Sequence, residues 1–132
     1  MKQNRFSFQK RLKSFGYAFN GLIILFREEH NSRIHFIAAF IAVIGGFWLK
    51  ISANEWVAIV FAIGFVICLE IINSAIENIA DFISPEKHEM IKKIKDLAAG
   101  GVLVASITSF TIGLIVFLPK IIRLVQFCNL HL

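Results

Sequence analysis

Apolar residues recur along the first part of the chain at helical rather than strand spacing. Phe8, Leu12, Phe15, Phe19, Leu22, Ile23 and Phe26 fall in one sector about 100° wide, while Lys10, Lys13, Tyr17 and Asn20 point elsewhere. Residues 1–27 also carry Lys2, Arg5, Lys10, Arg11, Lys13 and Arg27 and no acid. The pattern predicts a helix over about residues 5–28 that lies in a membrane interface, its basic side toward anionic headgroups. A soluble amphipathic helix is the competing reading.

Beyond residue 28 the one-sided pattern gives way to continuous apolar stretches. Segments 34–49, 56–80 and 97–118 predict membrane helices, since about 20 apolar residues cross a bilayer. The third is the clearest, 22 residues without a charge; the first is short and contains His35; the second is apolar from Trp56 until Glu70. Trp48 and Trp56 flank the Lys50–Glu55 turn, as interfacial aromatics do. Pro119 is expected to end the third helix.

Composition agrees. Of 132 residues, 57% are hydrophobic and 17% charged, with a mean hydropathy of +0.71, against about 45–50% and 25% in soluble domains. A chain this short would leave a large apolar exterior in water, which excludes a soluble domain, and 14 Phe exclude disorder. The expected architecture is all-α and integral to the membrane, one domain over residues 1–132. The net charge of +5 then points to anionic lipid and not to nucleic acid. By the positive-inside rule the N-terminus and the Lys87, Lys92, Lys93, Lys95 connector are cytoplasmic and the 50–55 turn lies outside, although Lys120 and Arg123 then fall outside too. Cys68 and Cys128 form no CxxC and read as free thiols in a reduced setting. The N-terminus lacks the apolar core and cleavage site of a secretory signal.

The second membrane segment carries the chemistry. Glu70, Asn73, Ser74, Glu77 and Asp81 share one helical face about 100° wide, and the intervening residues are mostly apolar. Ionisable groups inside a span cost roughly 2.5–3.5 kcal/mol and face a protein interior or an aqueous site. A polar stripe that binds helices together, or a solvated end of the helix, is the structural alternative. Glu70 sits near the cytoplasmic rim, and Glu77 is about 10 Å nearer the water. One carboxylate near the headgroups and one near the aqueous phase suit a reaction joining a lipid hydroxyl to a soluble substrate, with Glu70 a candidate general base. Carboxylates are hard oxygen ligands that suit Mg²⁺ and phosphate, and Glu28 and Glu29 are placed to approach Glu77 from another element. Lys92, Lys93 and Lys95, with Asp96, offer charge for phosphate or simply anchor the membrane end. No GxxxxGK[ST] or GxGxxG loop is present, and His30, His35 and His88 lack HExxH spacing.

The run Glu70-Ile-Ile-Asn73-Ser74-Ala75-Ile76-Glu77-Asn78-Ile79-Ala80-Asp81, followed by Lys95-Asp96-Leu-Ala-Ala-Gly, resembles the signature of the prokaryotic diacylglycerol kinase family of small three-span lipid kinases. The likeness extends from Gly16-Tyr17 and Gly21 through Glu29 to the Gly113–Lys120 end. It implies phosphorylation of a membrane lipid alcohol by ATP, with Glu70 as general base and Asn73 and Lys10 beside the lipid. It further implies Mg²⁺ held by Glu29 and Glu77, and ATP lined by Tyr17, Glu29, Glu77, Glu86, Lys87, His88, Lys95 and Asp96. A homotrimer with sites between subunits, in the bacterial cytoplasmic membrane, belongs to the same expectation. Lys10, Arg11 and Asn20 depart from the diacylglycerol-specific branch. Glu29-His30-Asn31-Ser32-Arg33-Ile34-His35 and the Gly113–Lys120 end look more like the undecaprenol kinase branch, so undecaprenol is the first expected acceptor and diacylglycerol the second. A non-enzymatic membrane subunit using its carboxylates for proton relay or assembly is the competing class.

Overall fold

The computed structural model describes residues 8–84, 86 and 88–129, with side chains from Arg11 onward. Its elements are α1 (Phe8–Glu28), α2 (His30–Trp48), α3 (Ala53–Ile83) and α4 (Glu89–Asn129), and among the described residues there is no strand. The last three are long and apolar enough to cross a membrane. The all-α, three-span expectation stands, but every membrane helix runs past its apolar stretch. Hydropathy marks only the part at lipid depth, whereas the backbone keeps its internal hydrogen bonds into the polar flanks.

Pro119 does not end the third span: α4 continues through it to Asn129. Proline lacks the N–H that would bond the Ile115 carbonyl, so the helix forgoes one bond there. Membrane helices tolerate this where other donors reach the freed carbonyl.

The end of the molecule at the 50–55 turn is tightly specified. Lys50 takes a left-handed conformation (φ 49°). Its N–H bonds the Phe47 carbonyl and the Ile51 N–H bonds the Gly46 carbonyl, at 3.3 and 3.1 Å, which closes α2 in a Schellman motif. Ser52 then opens α3 with a capping box: its N–H donates to Glu55 Oε2 and its hydroxyl accepts from the Glu55 N–H. Lys120 Nζ lies 3.1 Å from the same Glu55 oxygen. The basic residue that ran against the positive-inside rule thus has an acid partner across the turn. Beneath this, Ile51, Ile59 and Val116 form a buried cluster with Trp56 and Phe117 against it. Gly46 is required there, because a Cβ at that position would come within 2.7 Å of the Trp56 ring.

α3 and α4 run antiparallel, tied by the Ser109 hydroxyl donating to the Ala62 carbonyl. At the opposite end α1 meets α2 at a break, with Glu29 extended (φ −99°, ψ 113°). Arg33 caps the outgoing end of α1 by donating to the Phe26 and Arg27 carbonyls, and the Phe26 and Phe36 rings meet edge to face. Among the described side chains of α1, Leu25, outside the predicted apolar sector, is the buried one; Phe15, Phe19, Ile23 and Phe26 stay exposed. That leaves the sector free for the acyl boundary.

Candidate active site

The break at Glu29, the C-terminal half of α3 and the start of α4 converge at the end opposite the turn. Glu70, on α3, is 3% exposed. Burial of a carboxylate requires partners, and both come from α2. The Ser32 hydroxyl donates to Glu70 Oε2 at 2.8 Å, and His35 Nε2 lies 3.1 Å from Oε1. That second approach lacks hydrogen-bond alignment, so Oε1 is buried without a donor among the described residues, as is Asn73 Oδ1.

Farther along α3 the same face continues. The Asn73 amide donates to Glu77 Oε1 at 3.0 Å, so Asn73 is paired with Glu77 and not with Glu70. The buried Ser74 hydroxyl donates to Glu29 Oε1 at 3.1 Å, which brings the carboxylate at the helix break onto α3. Glu28, by contrast, is an exposed residue of α1. Lys95 reaches back from α4 to both Asp81 oxygens, at 2.8 and 3.0 Å. Ahead of the 97–118 membrane segment, Lys95 has its ammonium held above the usual lysine range, first by the Asp81 hydrogen bond, with Glu77 and Glu29 adding attraction from farther off. The sequence neighbours Lys95 and Asp96 are not partners: Asp96 pairs with Lys92, one helical turn back.

The connector residues are more open. His88 Nδ1 accepts the Met90 N–H at 3.2 Å, and the Glu86 carbonyl accepts from the Ser84 hydroxyl. Tyr17 is exposed on α1. Lys87 and the side chain of Lys10 lie outside the described residues. The structure therefore gathers Glu29, Glu70, Asn73, Glu77, Asp81 and Lys95 at one end. No hydrogen bond or ion pair links Tyr17, Glu86 or His88 to that group among the described residues.

The family model for prokaryotic diacylglycerol kinase matches residues 16–117. The chain belongs to the prokaryotic diacylglycerol kinase family. It is 39% identical over 120 residues to the undecaprenol kinase of Bacillus subtilis (strain 168), covering 91% of this chain and 98% of that one. Against the diacylglycerol kinase of Escherichia coli (strain K12) the identity is 33% over 109 residues, 83% of this chain and 89% of the other. The diacylglycerol kinase of Synechocystis sp. (strain ATCC 27184 / PCC 6803 / Kazusa) is 32% identical over 114 residues, 86% of this chain and 65% of that one. Membership makes this family protein a multi-pass membrane lipid kinase and disfavours the non-enzymatic alternative.

Sequence reasoning missed Ser32 and His35. The available signal was their spacing of three on one helix, which puts two polar side chains on the face that enters the membrane. Nothing in a periodicity could pair them with Glu70 on another helix.

Proposed function

We propose that this chain transfers the γ-phosphoryl group of ATP to the hydroxyl of a membrane lipid, undecaprenol first and diacylglycerol second, with Glu70 as general base. The observation that carries the proposal is Glu70 Oε1: a buried carboxylate oxygen with no donor among the described residues, at the membrane end of a face whose other end carries Glu77 and is met by Glu29 and Lys95. A lipid hydroxyl supplies the missing donor. The preference for undecaprenol rests on the fuller match to the Bacillus subtilis enzyme, 98% of its length.

Glu29 and Glu77 fit Mg²⁺. Each is held through Oε1 by a neutral donor, Ser74 or Asn73, and carboxylate oxygens are the ligands this ion takes, together with water and phosphate. When bound, Mg²⁺ supplies neutralisation of the phosphate charge. Lys95, oriented by Asp81, adds a positive charge, and Tyr17, Glu86, Lys87, His88 and Asp96 complete the nucleotide site. Asn73 and Lys10 border the lipid.

In the reaction the lipid O–H proton moves to Glu70 as the lipid oxygen bonds the γ-phosphorus, and the bond from that phosphorus to ADP breaks. The contribution of the chain is orientation and charge, as phosphoryl transfer requires. We further propose that the working unit is a homotrimer in the bacterial cytoplasmic membrane with the N-terminus cytoplasmic; the resemblance to the family carries the trimer, and the basic N-terminal segment and Lys-rich connector support the orientation.

Purified protein in mixed micelles with MgATP is expected to phosphorylate undecaprenol faster than diacylglycerol. Transfer to neither lipid overturns the proposal. Glu70→Gln is expected to insert and assemble normally with nearly all turnover lost.

A further inference from the structure

α4 carries on to Asn129, past Pro119 and past residue 117, where the family match ends. Its uncharged stretch, 97–118, is 22 residues, about 33 Å of helix, and fills a hydrocarbon core of about 30 Å. Pro119 therefore stands at the membrane rim, and the Lys120 ammonium, 3.1 Å from Glu55 Oε2 at the start of α3, marks the same level. The next 15 Å or so of helix has an apolar side on which Ile121, Leu124, Val125 and Cys128 are exposed. Projected straight into water, that side would stay unburied.

We propose that residues 120–129 form a membrane-surface segment that bends at Pro119 and docks on anionic phospholipid headgroups. The proline gives the direction. Its ring crowds the Ile115 carbonyl and opens the helix on its own side, so the bend leads away from the ring. At about 100° per residue, Ile121, Leu124, Val125 and Cys128 lie about 140–240° round the helix from Pro119, on the side toward which the bend leads. Arg123 and Gln126 lie within about 40° of the proline, on the outer side of the bend, where Ile122 is the apolar exception. Bending thus lowers the apolar face to the acyl boundary and turns the Arg123 guanidinium to the headgroups, the arrangement of an interfacial helix.

Charge and continuity select the lipid as occupant. Residues 118–129 include Lys120 and Arg123 and no acid. Lys120 is matched by Glu55, whereas Arg123 is exposed and outside the ion pairs of the described residues, which leaves its charge for an anionic headgroup. A second copy of the segment would bring another Arg123 to the same level and no acid to meet it. Leu118 and Ile121 also line the open apolar groove between α2, α3 and α4, so the face of the segment is continuous with an apolar wall at membrane depth.

The test places nitroxide labels along the segment in the full-length protein, reconstituted in phosphatidylcholine vesicles with and without phosphatidylglycerol. With Cys68 and Cys128 replaced by Ala, labels at Ile121→Cys, Val125→Cys and Gln126→Cys are exposed to oxygen, which partitions into hydrocarbon, and to a water-soluble nickel chelate. The oxygen-to-nickel collision ratio is expected to be several-fold higher at Ile121→Cys and Val125→Cys than at Gln126→Cys, and to rise further with phosphatidylglycerol. Arg123→Gln is expected to abolish that further rise, and Pro119→Leu to bring the Val125→Cys label out into water. Free nickel access at all of these positions overturns the inference, since the helix then projects into water. Shielding of Ile121→Cys and Val125→Cys from both reagents overturns it as well, because a second copy or another protein then covers the face. Equal ratios in the two vesicles, or a rise that survives Arg123→Gln, overturn the anionic headgroup as partner, and an unmoved label in Pro119→Leu overturns the bend. The readout uses neither ATP nor a lipid acceptor, so it is independent of the proposed activity.

Discussion

Ser74 and Glu29 meet across 45 positions of sequence, the hydroxyl donating to Oε1 at 3.1 Å. One residue belongs to the face of α3 and the other to the break between α1 and α2. The carboxylate proposed for Mg²⁺ is therefore placed by a residue that contributes no charge.

Ser74→Ala is expected to lower turnover about 10-fold and to raise the Mg²⁺ concentration for half-maximal rate, as loss of a ligand's supporting hydrogen bond does. Magnesium titrations of wild type and variant check it. Identical curves would separate Glu29 from the metal.

Gly46 and Trp56 set a limit on the approach of α2 to α3. Gly46→Ala is expected to cost about 1–3 kcal/mol of stability, because a Cβ meets the ring at 2.7 Å. Thermal unfolding in detergent reads the loss, with specific activity at low temperature unchanged.

The turn gives two substitutions of opposite sign. Lys50→Gly is expected to stabilise by about 1 kcal/mol by relieving a left-handed Cβ, and Ser52→Ala to destabilise by about 1 kcal/mol by removing the cap. Melting curves of the two variants should bracket the wild type.

Orientation is testable by labelling. With Cys68 and Cys128 replaced by Ala, Asn54→Cys and Arg123→Cys are expected to react with an impermeant maleimide on intact cells, and Lys92→Cys only after permeabilisation. Reaction of Lys92→Cys on intact cells reverses the topology.

Much of this architecture was legible because membrane insertion writes itself in one dimension. The absence of charge from 97 to 118 and the helical spacing of Glu70, Asn73, Glu77 and Asp81 survive in the fold. What sequence could not show is which side chains meet. Asn73, on the same face as Glu70, pairs with Glu77 because four positions is one turn. Lys95 chooses Asp81 over adjacent Asp96 because neighbours in a helix point apart. Ser32 and His35 reach Glu70 only through the packing of α2 on α3. Pro119 misled for another reason: its rule is about an unmade bond, and one unmade bond does not stop a helix of 41 residues.

The break at Glu29 joins two variables that a soluble enzyme keeps apart. α1 has its exposed apolar sector available to the bilayer surface, and the residue on which it pivots carries the carboxylate that Ser74 holds against α3. If α1 lies on the bilayer surface as its sequence predicts, a change in the angle at which it is seated would act on that carboxylate as a lever acts on its fulcrum. Lipid packing and headgroup charge would thereby become inputs to the proposed site.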